Sequence, residues 1–287
     1  MPVAIPKKTA FVIAGGGSFG ALHVGMLRAL LDHGVTADLI VGSSVGAMNG
    51  AHFAFHPDAE GVEKLAAVWL SLRRRDVFPV GIETLTNLAF RGEFGIETVG
   101  LRRLIDTHLP NAELDNARLP MHVVATDFLS GEPVVMGEGP VADAVIASCA
   151  IPAAFAPVLR NGKYLTDGAV ASNTPIKVAA DLGATRAIVL PTGFACAMRV
   201  PPRGAIAQAL HSVTLLIARQ LISDLALVSS RLEVSIVPPL CPLACSAYDF
   251  SHSASLIERA EASTRAWLKG GGLDNREVPG EMRMHTH

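Results

Sequence analysis

The stretch Ala37-Asp38-Leu39-Ile40-Val41-Gly42-Ser43-Ser44-Val45-Gly46 decides the fold. A short apolar run ends in Gly-x-Ser-x-Gly and passes into a helical pattern that reaches about Phe55. Upstream, Thr9 to Ala14 is a second β-rich run, followed by Gly15-Gly16-Gly17-Ser18-Phe19-Gly20 and a helical pattern over Ala21 to His33, with Gly34 as its stop. Strand, helix, strand, helix in this order implies a right-handed parallel crossover. The unit is α/β, with a mainly parallel sheet at its centre.

Downstream the pattern continues. Helical periodicity covers about Asp58 to Leu72 and Ile96 to Leu109. Between them the Arg73-Arg74-Arg75 cluster, Pro79 and several glycines mark a looser interval suited to a lid or cap. Met121 to Phe128 reads as a strand, and the Ser130-Gly131 turn before Pro133 to Met136 predicts a hairpin. Val141 to Cys149 is helix-like, and Tyr164-Leu165 form a short strand leading into Asp167-Gly168-Ala169. Pro175 to Leu182 is a helix, Arg186 to Leu190 a buried strand, and Leu232 to Val237 another β-like run before a final helix from about Ser253 to Lys269. One α/β domain over residues 1–270 is expected, with a polar, glycine-rich tail at 271–287 that frays.

Composition limits the function. The 287 residues carry 24 Lys+Arg against 26 Asp+Glu, a net charge of −2, which excludes a polybasic nucleic-acid binder. Half the residues are hydrophobic and 17% are charged, where about 25% is usual. The chain buries a great deal or meets lipid, and disorder is excluded. Four cysteines, Cys149, Cys196, Cys241 and Cys245, are too few for a disulfide scaffold and lack zinc-knuckle spacing. A reducing, cytoplasmic location is therefore expected. Lys7 and Lys8 before an apolar run resemble a signal peptide, but Ala10 to Ala14 is too short for one and reads as a strand. The charge-free run Gly204 to Ala218 falls short of the roughly 20 apolar residues of a spanning helix, so it reads as a buried amphipathic helix.

Two glycine motifs carry the chemistry. Gly42-x-Ser44-x-Gly46 between a strand and a helix is the setting of a nucleophile elbow, in which a sharp turn exposes the serine hydroxyl at a helix N-terminus. The bland alternative is a glycine turn with an unreactive serine. Gly15-Gly16-Gly17-x-x-Gly20 also joins a strand to a helix, and its amides suit a phosphate or an oxyanion. A dinucleotide site would need an acidic residue at the end of the second strand, and that strand ends in the Ser44 elbow instead. An oxyanion role beside Ser44 is preferred.

The serine needs a base. An α/β-hydrolase triad would place the acid and then the histidine after the nucleophile, here Asp167 and His252, but its elbow normally follows several strands. The histidines lack motif context, and His23, His52 and His122 read as structural. Asp167, before Gly168, is presented at a strand end, though a plain Asp-Gly turn would look the same. Asp127, in Ala125-Thr126-Asp127-Phe128, is a rival that reads better as a turn cap.

Gly-Gly-Gly-x-x-Gly, then Gly-x-Ser-x-Gly one crossover later, then Asp-Gly-Ala, resembles the patatin-like phospholipase family. Ala125-Thr126-Asp127, the run Ala147-Ser148-Cys149-Ala150-Ile151-Pro152 with Phe155 and Pro157 behind it, and Asn173-x-Pro175 agree with it. The likeness spans about Phe11 to Leu190. It implies a three-layer α/β/α fold and a Ser-Asp dyad, with Ser44 as nucleophile, Asp167 as base, and the amides of Gly15, Gly16 and Gly17 as oxyanion hole. It also implies an acyl-ester hydrolase acting on phospholipids, lysophospholipids or neutral esters through an acyl-enzyme, without metal or other cofactor. A lipid substrate, transient contact with a membrane surface and no nucleic-acid partner follow. A non-catalytic lipid-binding or scaffolding module of the same fold, and a dinucleotide-binding protein, are the alternatives. Many family members have Arg or Lys where this chain has Phe19, which removes a cation beside the glycine loop and leaves neutral esters open as substrates.

Overall fold

The computed structural model describes residues 7–77, 98–152, 154–193, 201 and 204–282. The lid or cap expected around Pro79, and Cys196, lie outside them. Within them the chain runs β1 (Thr9–Ile13), α1 (Ala21–Asp32), β2 (Leu39–Ser43), α2 (Val45–Phe55), α3 (Ala59–Ser71), α4 (Arg74–Val77), α5 (Val99–His108), β3 (Met121–Asp127), β4 (Pro133–Met136) and α6 (Val141–Ser148). It continues with β5 (Val158–Arg160), β6 (Lys163–Thr166), α7 (Ala169–Ser172), α8 (Ile176–Asp181), β7 (Arg186–Leu190), α9 (Ala205–Val228), β8 (Glu233–Ile236) and α10 (Ser253–Lys269).

The strands form one sheet in the order β5-β6-β3-β2-β1-β7-β8, with β4 paired to β3. From β3 through β2, β1 and β7 to β8 every pairing is parallel, while β4, β6 and β5 attach antiparallel at one side. The middle strands are buried on both faces, which is why they read as continuous apolar runs rather than alternating ones. Their alternation survives as a division between two cores. Phe11, Ile13, Ile40, Met121, Val123 and Ile188 face a core shared with α1, α2, α3, α6 and α10. Ala10, Val12, Leu39, Val41, Val124 and Val189 face a second core under α8 and α9. Helices on both faces of a central sheet give the three-layer arrangement.

Element ends differ from the sequence reading by a residue or two where caps intervene. Asp58 caps α3 by accepting from the Gly61 amide at 2.8 Å. Beyond Ala218, α9 continues through Arg219 and Asp224 to Val228, and Leu221 and Val228 are buried against the second core. No helix among the described residues is long and apolar enough to cross a membrane. After α10, Met282 is buried and Arg276 pairs with Glu233 of β8 at 3.0 Å.

Candidate active site

β1, β2 and β7 are parallel, so their C-terminal ends open on the same edge of the sheet, where a doubly wound fold places its ligands. Ser44 sits there as the residue before α2, with φ 53° and ψ −127°. A side chain in this region of backbone space costs about 1–3 kcal/mol and persists only where its surroundings enforce it. Gly46 is part of that enforcement. A Cβ there would lie 2.1 Å from the Ile13 carbonyl oxygen, so only glycine lets α2 pack this close to β1.

Asp167 follows the end of β6. Its Oδ2 accepts the Ser44 hydroxyl at 2.7 Å and its Oδ1 accepts the Ala169 amide at 2.8 Å. Both side chains are buried. Burial pushes the Asp167 carboxyl up to about 6, against the opposing pull of its hydrogen bonds from Ser44 and Ala169. The carboxylate is thus charged near neutral pH yet more basic than a solvated aspartate. Its loop is tied down at three points. The Asp167 carbonyl accepts from Thr126 Oγ1 at 2.8 Å, its amide donates to the Ala150 carbonyl at 2.9 Å, and the Gly168 amide donates to the Ser148 carbonyl at 3.1 Å.

The glycine loop lies beside Ser44, since a Cβ on Gly15 would fall 3.1 Å from Ser44 Cβ. Its three expected donors are not equivalent. The Gly15 amide is already given to the Asn173 carbonyl at 3.1 Å, and the Ser18 amide to the Ala247 carbonyl at 2.7 Å. The amides of Gly16 and Gly17 have no acceptor among the described residues. Gly17, at φ 58°, has the left-handed conformation that glycine adopts freely. The Gly15 carbonyl is fixed in turn by Thr192 Oγ1 at 2.6 Å.

Phe19, which takes the place of the basic residue common in the family it resembles, is buried in the first core. Asp127 caps the turn after β3 by accepting from the Leu129 amide at 3.1 Å, and it pairs with Lys163 at 3.6 Å. No histidine among the described residues bonds Ser44 or Asp167. His252 is half exposed and pairs with Asp249 at 3.4 Å. His23 is fully buried, and burial drives it down to about 3 while the Leu190 carbonyl pulls the other way. This neutral ring approaches Asn49 Nδ2 through Nδ1 at 3.0 Å, and Asn49 also bonds the Gly20 carbonyl and Trp69 Nε1. That network braces the start of α2 against α1 and α3. Burial also lowers His52 and His122, in keeping with structural roles.

Asn173 and Cys149 stood inside motifs that agree with the resemblance, whereas Thr192, Gln220, Ala247 and Tyr248 have no signal in their own sequence context. Asn173, Thr192 and Ala247 hold the glycine loop, and Gln220 of α9 receives the Asn173 amide at 3.2 Å. Tyr248 is pushed up to about 12, first by burial and then by the charge of Asp167. Burial pushes the Cys149 thiol well up, and Asp167 adds to that, so it stays neutral beside the serine. An apolar crevice lined by Met48, Trp69, Leu104 and Val145 runs between α2, α3, α5 and α6. Among the described residues no group of three or more His, Cys, Asp or Glu could hold a metal ion.

The Patatin-like phospholipase family model matches residues 11–180. A patatin-like phospholipase domain-containing protein of Caenorhabditis elegans is 31% identical over 190 residues, covering 63% of this chain and 13% of the relative. Patatin-like phospholipase domain-containing protein 7 of Rattus norvegicus is 28% identical over 186 residues, 64% of this chain and again 13% of the relative. The chain thus spans only a small part of the curated relatives it matches. Among solved structures, VipD from Legionella pneumophila aligns with a TM-score of 0.49 at 16% identity, over 94% of this chain and 67% of that one.

Proposed function

Because the chain belongs to the patatin-like phospholipase family, we propose that it hydrolyses acyl esters of lipids with Ser44 as nucleophile and Asp167 as its base. The observation that carries this reading is the buried 2.7 Å hydrogen bond from Ser44 Oγ to a carboxylate whose pKa burial has raised to about 6. Asp167 takes the hydroxyl proton as Oγ attacks the ester carbonyl. The amides of Gly16 and Gly17 receive the oxyanion, and each such donor is worth about 3 kcal/mol in the transition state. Protonated Asp167 then gives its proton to the departing alkoxide, leaving an acyl-enzyme on Ser44. Water, deprotonated by the same carboxylate, attacks that ester, and Asp167 returns the proton to Ser44 Oγ as the fatty acid is released. Proton transfer and charge stabilisation are both supplied by the chain, so the scheme calls for no metal.

Exposed Val213, Leu216 and Ile222 on α9 supply apolar surface suited to transient contact with a lipid aggregate. Hydrolysis of p-nitrophenyl esters from acetyl to palmitoyl, with and without a chelator, tests the reading. Turnover of medium or long chains that survives chelation and disappears in Ser44→Ala is the expected result. A strict preference for acetyl, or full activity in Ser44→Ala, overturns it.

A further inference from the structure

The end of α6 is the part of the site that the reaction scheme leaves without a task. We propose that Ser148 is a positioning residue, whose hydroxyl holds the Ser44 main chain in the conformation from which Oγ meets Asp167. This rests on the hydrolase reading above and deepens it.

Ser43 is the last residue of β2 and pairs with Val124 of β3. One residue later the chain leaves the sheet, and the amide of Ser44 is no longer offered a direct strand partner. Ser148, fully buried, fills that position. Its Oγ accepts the Ser44 amide at 2.8 Å and donates its own proton to the Val124 carbonyl at 2.6 Å. A hydroxyl has one proton, and here Val124 takes it, so only lone pairs remain to face Ser44. The β2–β3 ladder is thereby carried one step past Ser43 through a side chain, and the strained φ of Ser44 is fixed by a hydrogen bond.

The same residue reaches the base. The Ser148 carbonyl accepts the amide of Gly168, adjacent to Asp167, at 3.1 Å. One residue thus holds the nucleophile by its side chain and the base loop by its main chain. Alanine at 148 would leave the Ser44 amide buried without an acceptor and free the elbow to relax away from Asp167.

The test compares Ser148→Ala and Ser148→Cys with the wild type. Cysteine keeps the shape of serine with a somewhat larger γ atom but is a poor acceptor, so it separates loss of the hydrogen bond from loss of packing and stands in if the alanine variant does not fold. We expect kcat to fall about 10- to 100-fold in both, with KM changed less than about twofold, because misplacement of reacting atoms acts on the chemical step. The acid limb of the kcat profile should move to higher pH, since the Ser44 hydroxyl bond that lowers Asp167 is weakened. Amide exchange at Ser44, slow in the wild type, should quicken in both variants. An unchanged kcat in either folded variant, a loss confined to KM, an unmoved acid limb or an equally slow Ser44 amide overturns the proposal. If the wild type itself hydrolyses no ester, the functional reading fails separately, and the exchange measurement still decides the role of Ser148.

Discussion

Replacing Asp167 by asparagine should abolish activity and stabilise the fold, by an amount that depends on pH. In the wild type, burial raises this carboxyl from its ordinary 3.8 to about 6. At about 1.36 kcal/mol per pKa unit, keeping it ionised in the folded protein at neutral pH costs about 3 kcal/mol. The folded pKa lies above the unfolded one. Asp167 therefore favours the fold most below 3.8, loses that advantage as pH rises, and carries the full cost above about 6. Asparagine is neutral throughout. Its Oδ1 keeps the Ala169 amide, its Nδ2 turns to Ser44 Oγ, and no proton acceptor remains. Urea unfolding across a pH series should show the variant and wild type nearly equal around pH 4 and the variant up to about 3 kcal/mol more stable at neutral pH. A difference that stays flat with pH, or a variant less stable at neutral pH, would refute the reasoning that burial loads this carboxylate.

Ser43→Ala should leave activity within about twofold of the wild type and stability nearly unchanged, because the buried Ser43 hydroxyl has no hydrogen-bond partner among the described residues. A tenfold or larger loss of turnover would show that the hydroxyl is used. Gly46→Ala places a Cβ 2.1 Å from the Ile13 carbonyl and should destabilise by about 3 kcal/mol, read as a lowered Tm. A melt like the wild type's would contradict the tight packing of α2 on β1. His252→Ala should keep nearly full activity on a chromogenic ester, since the exposed imidazole pairs with Asp249 rather than with Ser44 or Asp167. A dead variant would install a triad in place of the dyad.

The β1–loop–α1–β2–elbow unit was legible because every signal in it is local. Strand residues, glycines and helix follow one another within Thr9 to Phe55, and the parallel pairing of β1 with β2 is what such a crossover produces. Asp167 was visible as an Asp-Gly turn, but its partner lies 123 residues earlier, and residue chemistry alone left Asp127 and a triad open. What separated them was the resemblance carried by three ordered motifs. The differing fates of the three glycine amides could not be read at all. The Gly15 amide is spent on Asn173, far along the chain and opposite the loop only once the sheet has formed. Ser148 and Thr126 stood inside recognised runs, yet their tasks arise from contacts with Ser44 and Asp167 that no spacing encodes. Phe19 shows the reverse case, a departure from the family pattern that the core absorbs as packing.

Trapping the acyl-enzyme tests the central claim most directly. The protein would be mixed with a slowly hydrolysed long-chain chromogenic ester, quenched in acid, digested and mapped by mass spectrometry, with Ser44→Ala and Asp167→Asn alongside. The account predicts a single acyl adduct on the peptide containing Ser44, absent from Ser44→Ala and strongly diminished in Asp167→Asn. Ester hydrolysis that proceeds with Ser44 unmodified, or an adduct on a different side chain, would contradict it.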